Sequence, residues 1–167
     1  MITGKEDLLQ ALIEAFLMEK GTREFYSQAS VRSADYEAQK TFKELSDWEG
    51  KHMDYIQFLY QSINGDQEVR SFEEFKKSAK APMTEAGIPV KDLEAKIERY
   101  KFMDQKEALA LAMEIEGKAY NFYRKLSGSA EDGNARVVFR GMMEQEVKHV
   151  EYLKKLRVKL LNVYEVS

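Results

Sequence analysis

The sequence predicts an all-α protein: a four-helix bundle with a long crossover between its second and third helices. Three observations support this fold class. Only two prolines and nine glycines occur in 167 residues, of which 33% are charged and 44% hydrophobic. Apolar residues recur at alternating steps of three and four in four segments, as on the buried face of a helix. The chain also contains an internal repeat. Its length fits one domain, residues 1–167, with a substantial core.

The repeat appears when the sequence is moved along itself by 97 positions, and no gap is needed over about fifty residues. Polar and aromatic positions match as well as apolar ones, which two unrelated helical hairpins rarely achieve. The matches include Glu19 with Glu116, Glu49 with Glu146, His52 with His149, Phe25-Tyr26 with Phe122-Tyr123, Phe42 with Phe139 and Tyr55 with Tyr152. The repeat therefore predicts two helical hairpins related by a pseudo-two-fold axis.

Capping and turn patterns place the ends of the helices in hairpin one (residues 3–64) and hairpin two (residues 104–163). The predicted helices run from Thr3 or Asp7 to about Ser30, from about Asp35 to Ile63, from about Asp104 to Ser127, and from about Asn134 to Val163. Gly128 and Gly133 bracket the second hairpin turn. The crossover, residues 65–103, contains both prolines. Its length lets the chain return along the bundle, so that helix three starts parallel to helix two.

Each predicted helix carries a glutamate in the middle of its apolar stripe, and two of the helices add a histidine. These residues are Glu19, Glu49, His52, Glu116, Glu146 and His149. Burying an unpaired carboxylate costs several kcal/mol, and no lysine or arginine lies on these stripes. Two divalent cations would cancel the four negative charges, and Glu-x-x-His presents both side chains on one helix face. The six residues therefore predict a site for two metal ions. Iron and manganese suit carboxylate and imidazole ligands, and zinc also fits.

Other side chains receive weaker interpretations. Tyr26 and Tyr123 lie on the stripes, and we interpret them as packing residues whose hydroxyls need an acceptor. The alternative is a hydrogen bond to a ligating carboxylate. Trp48 lies off the stripe and receives no role. Three apolar residues outside the stripes, Phe16, Leu17 and Phe58, are candidates for a homodimer face. Six glutamates off the stripes are expected to be solvated: Glu14, Glu24, Glu44, Glu114, Glu144 and Glu151.

At these residues the chain resembles the rubrerythrin and ferritin-like di-iron family. The shared pattern is Glu19 followed by Phe25-Tyr26, then Phe42 and Glu49-x-x-His52, all repeated in the second half. The resemblance covers most of the chain outside residues 66–103. It implies that Glu49 and Glu146 bridge or co-ligate two irons, with one histidine capping each iron. Glu19 and Glu116 would be terminal or shared ligands. The implied function is a di-iron redox protein that reacts with O₂ or hydrogen peroxide.

Three departures from the family pattern refine this expectation. Full-length rubrerythrins end in a rubredoxin domain with four cysteines, whereas this sequence has none, which implies a separate electron-donor protein. Typical rubrerythrins resemble each other in an extra glutamate one turn beyond the helix-three ligand, where this chain has Ala119. Six ligands remain, closer to the bacterioferritin pattern, and weak peroxide reduction is expected. Helix four is predicted to end within a few residues of Ser167, leaving no fifth helix to close a storage cage.

Composition narrows the remaining classes of function. The absence of cysteine excludes cysteine-ligated clusters and cysteine nucleophiles. A formal charge of −3 without a basic run gives no indication of nucleic-acid binding. No apolar stretch reaches the roughly 20 residues of a membrane span, and no signal peptide is visible, so a cytoplasmic location without membrane attachment is expected. Two alternative functions stay open: a ferroxidase or iron-handling protein without a storage cage, and a helical interaction protein with a structural, redox-silent metal.

Overall fold

The computed structural model describes residues 4–64 and 105–165, which form four helices. These are α1 (Lys5–Arg32), α2 (Tyr36–Asn64), α3 (Gln105–Ser129) and α4 (Gly133–Glu165). The predicted all-α class is confirmed, and the predicted boundaries agree within about two residues. The crossover at 65–103, together with the predicted caps at Thr3 and Asp104, lies outside the described residues.

The directions of the helices follow from contacts between them. Helix α1 runs antiparallel to α2, to which a short turn joins it, and α3 runs antiparallel to α4 in the same way. Tyr26 near the end of α1 contacts Glu116 in α3, whereas Glu19, earlier in α1, contacts Tyr123, later in α3. These crossed contacts make α1 and α3 antiparallel, so α2 and α3 are parallel. The arrangement is that of a ferritin-like bundle with one long crossover.

The two hairpin turns repeat each other down to their hydrogen bonds. Asp35 caps α2 by accepting a hydrogen bond from the Ala38 amide at 3.0 Å, and Asp132 caps α4 in the same way from the Ala135 amide at 2.9 Å. Helix α4 consequently begins at Gly133, which the sequence had placed in the turn. The caps are 97 positions apart, so the repeat extends through the turns as well as the helices.

The start of α1 differs from the predicted start at Asp7. The helix begins at Lys5, and Gly4 precedes it with a φ of 90°, a conformation that glycine adopts without strain. The Gly4 carbonyl accepts a hydrogen bond from the Leu8 amide. Asp7 is therefore not a cap but lies in the first turn of the helix, where its charge is favourable to the helix dipole.

The apolar core consists of two clusters, one on each side of the buried glutamates. One contains Leu12, Ile56, Tyr60 and Phe139 among others, and the second includes Phe25, Phe42, Leu45, Leu109 and Leu153. Each predicted stripe faces this core, with only Leu59 and Leu126 at its edges partly exposed. The glutamates thus lie in the middle of the bundle with apolar layers on both sides, away from bulk water.

The candidate homodimer face is only partly exposed. Phe16 is buried in the core at 5% exposure, so its assignment to a surface patch was wrong. Alternating steps of three and four describe a stripe narrower than the buried face of α1, which also includes Ile13 and Phe25. Leu17 is partly buried, and Phe58 is 63% exposed. Within residues 4–64 and 105–165, no helix has the length and hydrophobicity needed to span a bilayer.

Candidate metal centre

The six predicted ligand residues converge at one level of the bundle. Helices α1 and α3 each contribute one glutamate, whereas α2 and α4 each contribute a glutamate and a histidine one turn later. All four glutamates are 0% exposed, and His52 and His149 are 8% and 1% exposed. The helical period brings them together: the ligands of each Glu-x-x-His pair are three residues apart and share one face of their helix.

The six residues form two groups of four that share two glutamates. In one group, ligand atoms of Glu19, Glu49, His52 and Glu146 all lie within 4.8 Å of one another. In the other, the same holds for Glu49, Glu116, Glu146 and His149. Two adjacent groups with two shared carboxylates have the composition of a site for a pair of cations, with Glu49 and Glu146 between them.

Distances around each imidazole are those of groups arranged about a common centre. The Nδ1 atom of His149 lies 3.1 Å from Glu49 and 3.3 Å from both Glu116 and Glu146. The Nδ1 atom of His52 lies 3.4 to 3.6 Å from oxygens of Glu19, Glu49 and Glu146. Two ligands bound about 2.1 Å from one ion, at tetrahedral or octahedral angles, are about 3.0 to 3.4 Å apart. The His149 separations lie within that range, and those of His52 extend slightly beyond it, to 3.6 Å.

Hydrogen bonds within the described part of the chain do not satisfy this cluster. Both carboxylate oxygens of Glu49 and of Glu146 are buried without a hydrogen-bond partner there, as are the Nδ1 atoms of both histidines. One imidazole N–H can donate to only one of three surrounding oxygens. Buried polar atoms are otherwise nearly always hydrogen-bonded. A cation accepts electron pairs from all of these atoms at once, so the residues present fit a metal site.

The protonation of the site without metal follows from burial and crowding. Burial, reinforced by the charge of Glu19, raises the pKa of Glu49 to about 8. Burial and the neighbouring carboxylates also raise the pKa of Glu146 well above 4.5. Burial would also raise the pKa of Glu116, but interactions with Glu146, His149 and the Tyr26 hydroxyl outweigh burial and lower that pKa.

The histidines are held in their charged form by the same carboxylates. Burial alone would lower the pKa of His52, but attraction to Glu19 and Glu49 outweighs it and raises that pKa to about 10. For His149, burial is likewise outweighed by Glu49 and Glu116, and its pKa rises well above 6.5. Without metal, protons therefore compensate the negative charge of the cluster. Metal binding must displace those protons.

Two tyrosines connect the halves of the site crosswise. The Tyr26 hydroxyl in α1 donates a hydrogen bond to Oε1 of Glu116 in α3. The Tyr123 hydroxyl in α3 donates to Oε1 of Glu19 in α1 at 2.5 Å. Both tyrosines are almost completely buried. Of the two interpretations of these residues, the hydrogen bond to a site carboxylate matches the structure. Each bond holds a carboxylate oxygen that also approaches a histidine: Oε1 of Glu116 lies 3.3 Å from Nδ1 of His149, and Oε1 of Glu19 lies 3.5 Å from Nδ1 of His52.

Two residues near the site were missed by the sequence interpretation. The Trp48 ring stacks on the His149 ring, with centroids 5.4 Å apart and planes at 20°. Glu44, expected to be solvated, accepts a hydrogen bond from the Tyr152 hydroxyl. The other five glutamates assigned to the surface are exposed. The sequence carried no distinct signal for Trp48, because most positions, like Trp48 and Gln145, differ from their equivalents 97 positions later.

A helical bundle with two Glu-x-x-His pairs and two further glutamates at its centre has the ligand pattern of the ferritin-like metal-carboxylate proteins. Comparison with protein-family models matches residues 10–157 to the rubrerythrin family. The match covers most of the chain and all six site residues, and the chain belongs to this family. Neither the curated proteins nor the solved structures compared with it gave a significant match.

The tyrosine hydrogen bonds lead to a matched pair of tests. Tyr26→Phe and Tyr123→Phe should each weaken metal binding by about 10- to 100-fold, the usual effect of removing a hydrogen bond to a metal ligand. The two losses should be similar, because the bonds are related by the repeat. Competition with a metal-binding dye measures the affinity. Tyr36→Phe, at a tyrosine 73% exposed, is the control. Unchanged affinity in both site variants would mean that the tyrosines serve packing alone.

Proposed function

We propose that this protein is a di-iron carboxylate redox protein that reacts with O₂ or hydrogen peroxide and receives electrons from a separate donor protein. One observation carries the proposal: two groups of four buried ligands share Glu49 and Glu146 at the centre of a bundle. Membership of the rubrerythrin family supports it.

The residues divide into two sets of ligands. Glu19 and His52 would hold one iron, and Glu116 and His149 the other, with Glu49 and Glu146 shared. Four carboxylates and two neutral imidazoles carry four negative charges, which balance two divalent ions. The balance matters because the surrounding apolar clusters offer little screening of a net charge.

Held by these residues, two ferrous ions would supply the two electrons that, with two protons, reduce hydrogen peroxide to two molecules of water. The protein's own side chains prepare this chemistry. Tyr26 and Tyr123 orient Glu116 and Glu19, and the apolar layers keep bulk water away from the carboxylates. We assign the re-reduction of the oxidised irons to a separate donor protein, because the sequence contains no cysteine that could hold an iron–sulfur site.

The metal and the oxidant are tested together. Protein from a host grown with iron, manganese and zinc should contain about two irons per chain, a stoichiometry that the two ligand groups require. The visible spectrum of the reduced protein should change on addition of peroxide and return on addition of a reductant. Zinc as the bound metal, with no spectral change, would favour the structural, redox-silent alternative. Oxidation of added iron by O₂, without return of the spectrum on addition of a reductant, would favour the iron-handling alternative.

Ala119 favours the second candidate function, iron oxidation without a storage cage. It is buried at 0% exposure on α3, one turn after Glu116, and contributes no ligand. We therefore expect slow peroxide turnover by the unaltered protein. Ala119→Glu should add a seventh ligand and raise peroxide turnover by about tenfold or more, a typical effect of changes around a metal site.

Ala119→Gln is the control for this substitution, because it adds similar volume without a charge. Steady-state peroxide consumption with an excess of reductant measures the effect, and metal content is determined for each variant. Rapid turnover by the unaltered protein would show that the extra glutamate is dispensable here.

A further inference from the structure

The pseudo-two-fold symmetry is broken on one face of the metal centre, between α2 and α4. Three positions there differ in chemistry or environment between the halves: Trp48 corresponds to Gln145, Glu44 to Gly141, and Tyr152 to Tyr55. The ligands themselves are repeated without change. The His52 side and the His149 side of the site therefore have different neighbouring residues.

On the His149 side the three positions form a continuous cover. The Trp48 ring stacks on His149, and the Tyr152 ring packs against Trp48 with centroids 5.1 Å apart. The Tyr152 hydroxyl in turn donates a hydrogen bond to Glu44. This chain of contacts holds the indole over the imidazole, and the His149 side chain is only 1% exposed.

On the His52 side the equivalent positions leave space. Gln145 is exposed, Tyr55 is 46% exposed, and a Cβ added to Gly141 would meet no atom within 4 Å. A groove of about 530 Å³ lies between α2 and α4 at this point. Both imidazoles border the groove, but the His52 side chain is 10% exposed against 1% for His149.

We propose that this groove, past Gly141 and Gln145, is the route by which small molecules reach the centre, and that Trp48 closes the equivalent route over His149. The proposal rests on the proposed function in requiring two bound metal ions. The position held by Glu19 and His52 is then the one that meets an external molecule first. Two exposed lysines, Lys51 and Lys148, line the groove, and their positive charge favours the approach of small anions.

The proposed route is tested by giving each of the two equivalent positions, 48 and 145, the residue found at the other position. Azide, an anion of three atoms, is added to the iron-loaded full-length protein, and its binding is followed by visible absorption in stopped flow. Gln145→Trp should place an indole over His52 and slow azide binding by on the order of tenfold, which corresponds to about 1.4 kcal/mol of added barrier.

Trp48→Gln should open the His149 side and add a second phase of binding. Val147→Trp, an exposed position on α4 that does not line the groove, is the matched control and should leave the rate unchanged.

Metal content is measured before azide is added, which separates the two proposals. Fewer than two ions in the unaltered protein would contradict the proposed function. Two ions in every variant, with azide rates that neither substitution changes, would overturn only the access route.

A second measurement covers the case in which the tryptophan variants fold poorly. Free imidazole should restore metal binding to His52→Ala, because the groove reaches the vacated space. It should restore binding to His149→Ala at least about tenfold less effectively, since Trp48 covers that position. Equal restoration in both variants, or restoration in neither, would overturn the proposal.

Discussion

His52→Ala and His149→Ala should each reduce the bound metal from two ions per chain to one or fewer. Each Nδ1 atom lies within 3.6 Å of three carboxylate oxygens in its own group, so its loss removes the only nitrogen ligand of one metal position. The affinity at that position should fall by about 100-fold or more, because even residues that only support a ligand commonly cost 10- to 100-fold. Metal analysis after gel filtration measures the loss.

The two variants should lose similar amounts of metal, because the repeat makes the histidines equivalent as ligands. His149→Ala should also destabilise the fold more, since it removes the ring on which Trp48 stacks. Glu144→Ala, at an exposed glutamate on the same helix as His149, is the control and should retain both ions. Two ions and full peroxide reactivity in both histidine variants would rule out the assignment of these ligands.

Metal-free protein should lose stability as the pH rises from about 5 to 8, on the order of a few kcal/mol, since each unit of pKa separation corresponds to about 1.4 kcal/mol. Burial and the charge of Glu19 raise the pKa of Glu49 from 4.5 to about 8, and that of Glu146 moves in the same direction. A group whose folded pKa is raised binds more protons in the folded state than in the unfolded state. Its contribution is complete below the unfolded pKa and is lost as the pH rises through the folded pKa.

The histidines reinforce this trend. Burial alone would lower their pKa values and oppose the gain in stability on acidification. Instead, Glu19 and Glu49 overcome the effect of burial and raise the pKa of His52 from 6.5 to about 10, and His149 shifts in the same direction. Their contribution is therefore lost above about pH 6.5. Glu116, whose pKa is lowered, contributes in the opposite direction, but only below about pH 4.5.

The metal-bound protein should show the reverse dependence, because protons compete with the metal for the same oxygen and nitrogen atoms. Thermal melts of both forms between about pH 5 and 8 test this difference. The pH range starts just above the pKa of glutamate in the unfolded chain and extends past that of histidine. The metal-free Tm should fall with rising pH by on the order of 10 °C, whereas the metal-bound Tm should rise or stay level. Parallel profiles for the two forms would contradict the presence of a buried carboxylate cluster that binds metal.

The fold class and the six residues at the centre of the bundle could be predicted from helical periodicity and the repeat. Helical periodicity converts spacing along the chain directly into a face of a helix, so a glutamate at a stripe position is buried if the helix forms. Each glutamate lies in the middle of its predicted stripe, which places all four at one level of the bundle. The repeat relates the antiparallel helices α1 and α3, so only equivalent positions near the middle of these helices lie at equal heights. Asp35 also marked the start of α2, and its equivalent Asp132, not predicted as a cap, caps α4.

Which side chains meet across the bundle depends on how the four helices pack against one another. Periodicity states which face a residue occupies but not which partner lies opposite, since that depends on the separation and relative height of packed helices. The crossed pairs Tyr26 with Glu116 and Tyr123 with Glu19 were therefore not predictable from spacing. The stacking of Trp48 on His149 and the raised pKa of His52 have the same origin. Both depend on distances of a few ångströms between different helices, which sequence spacing does not fix.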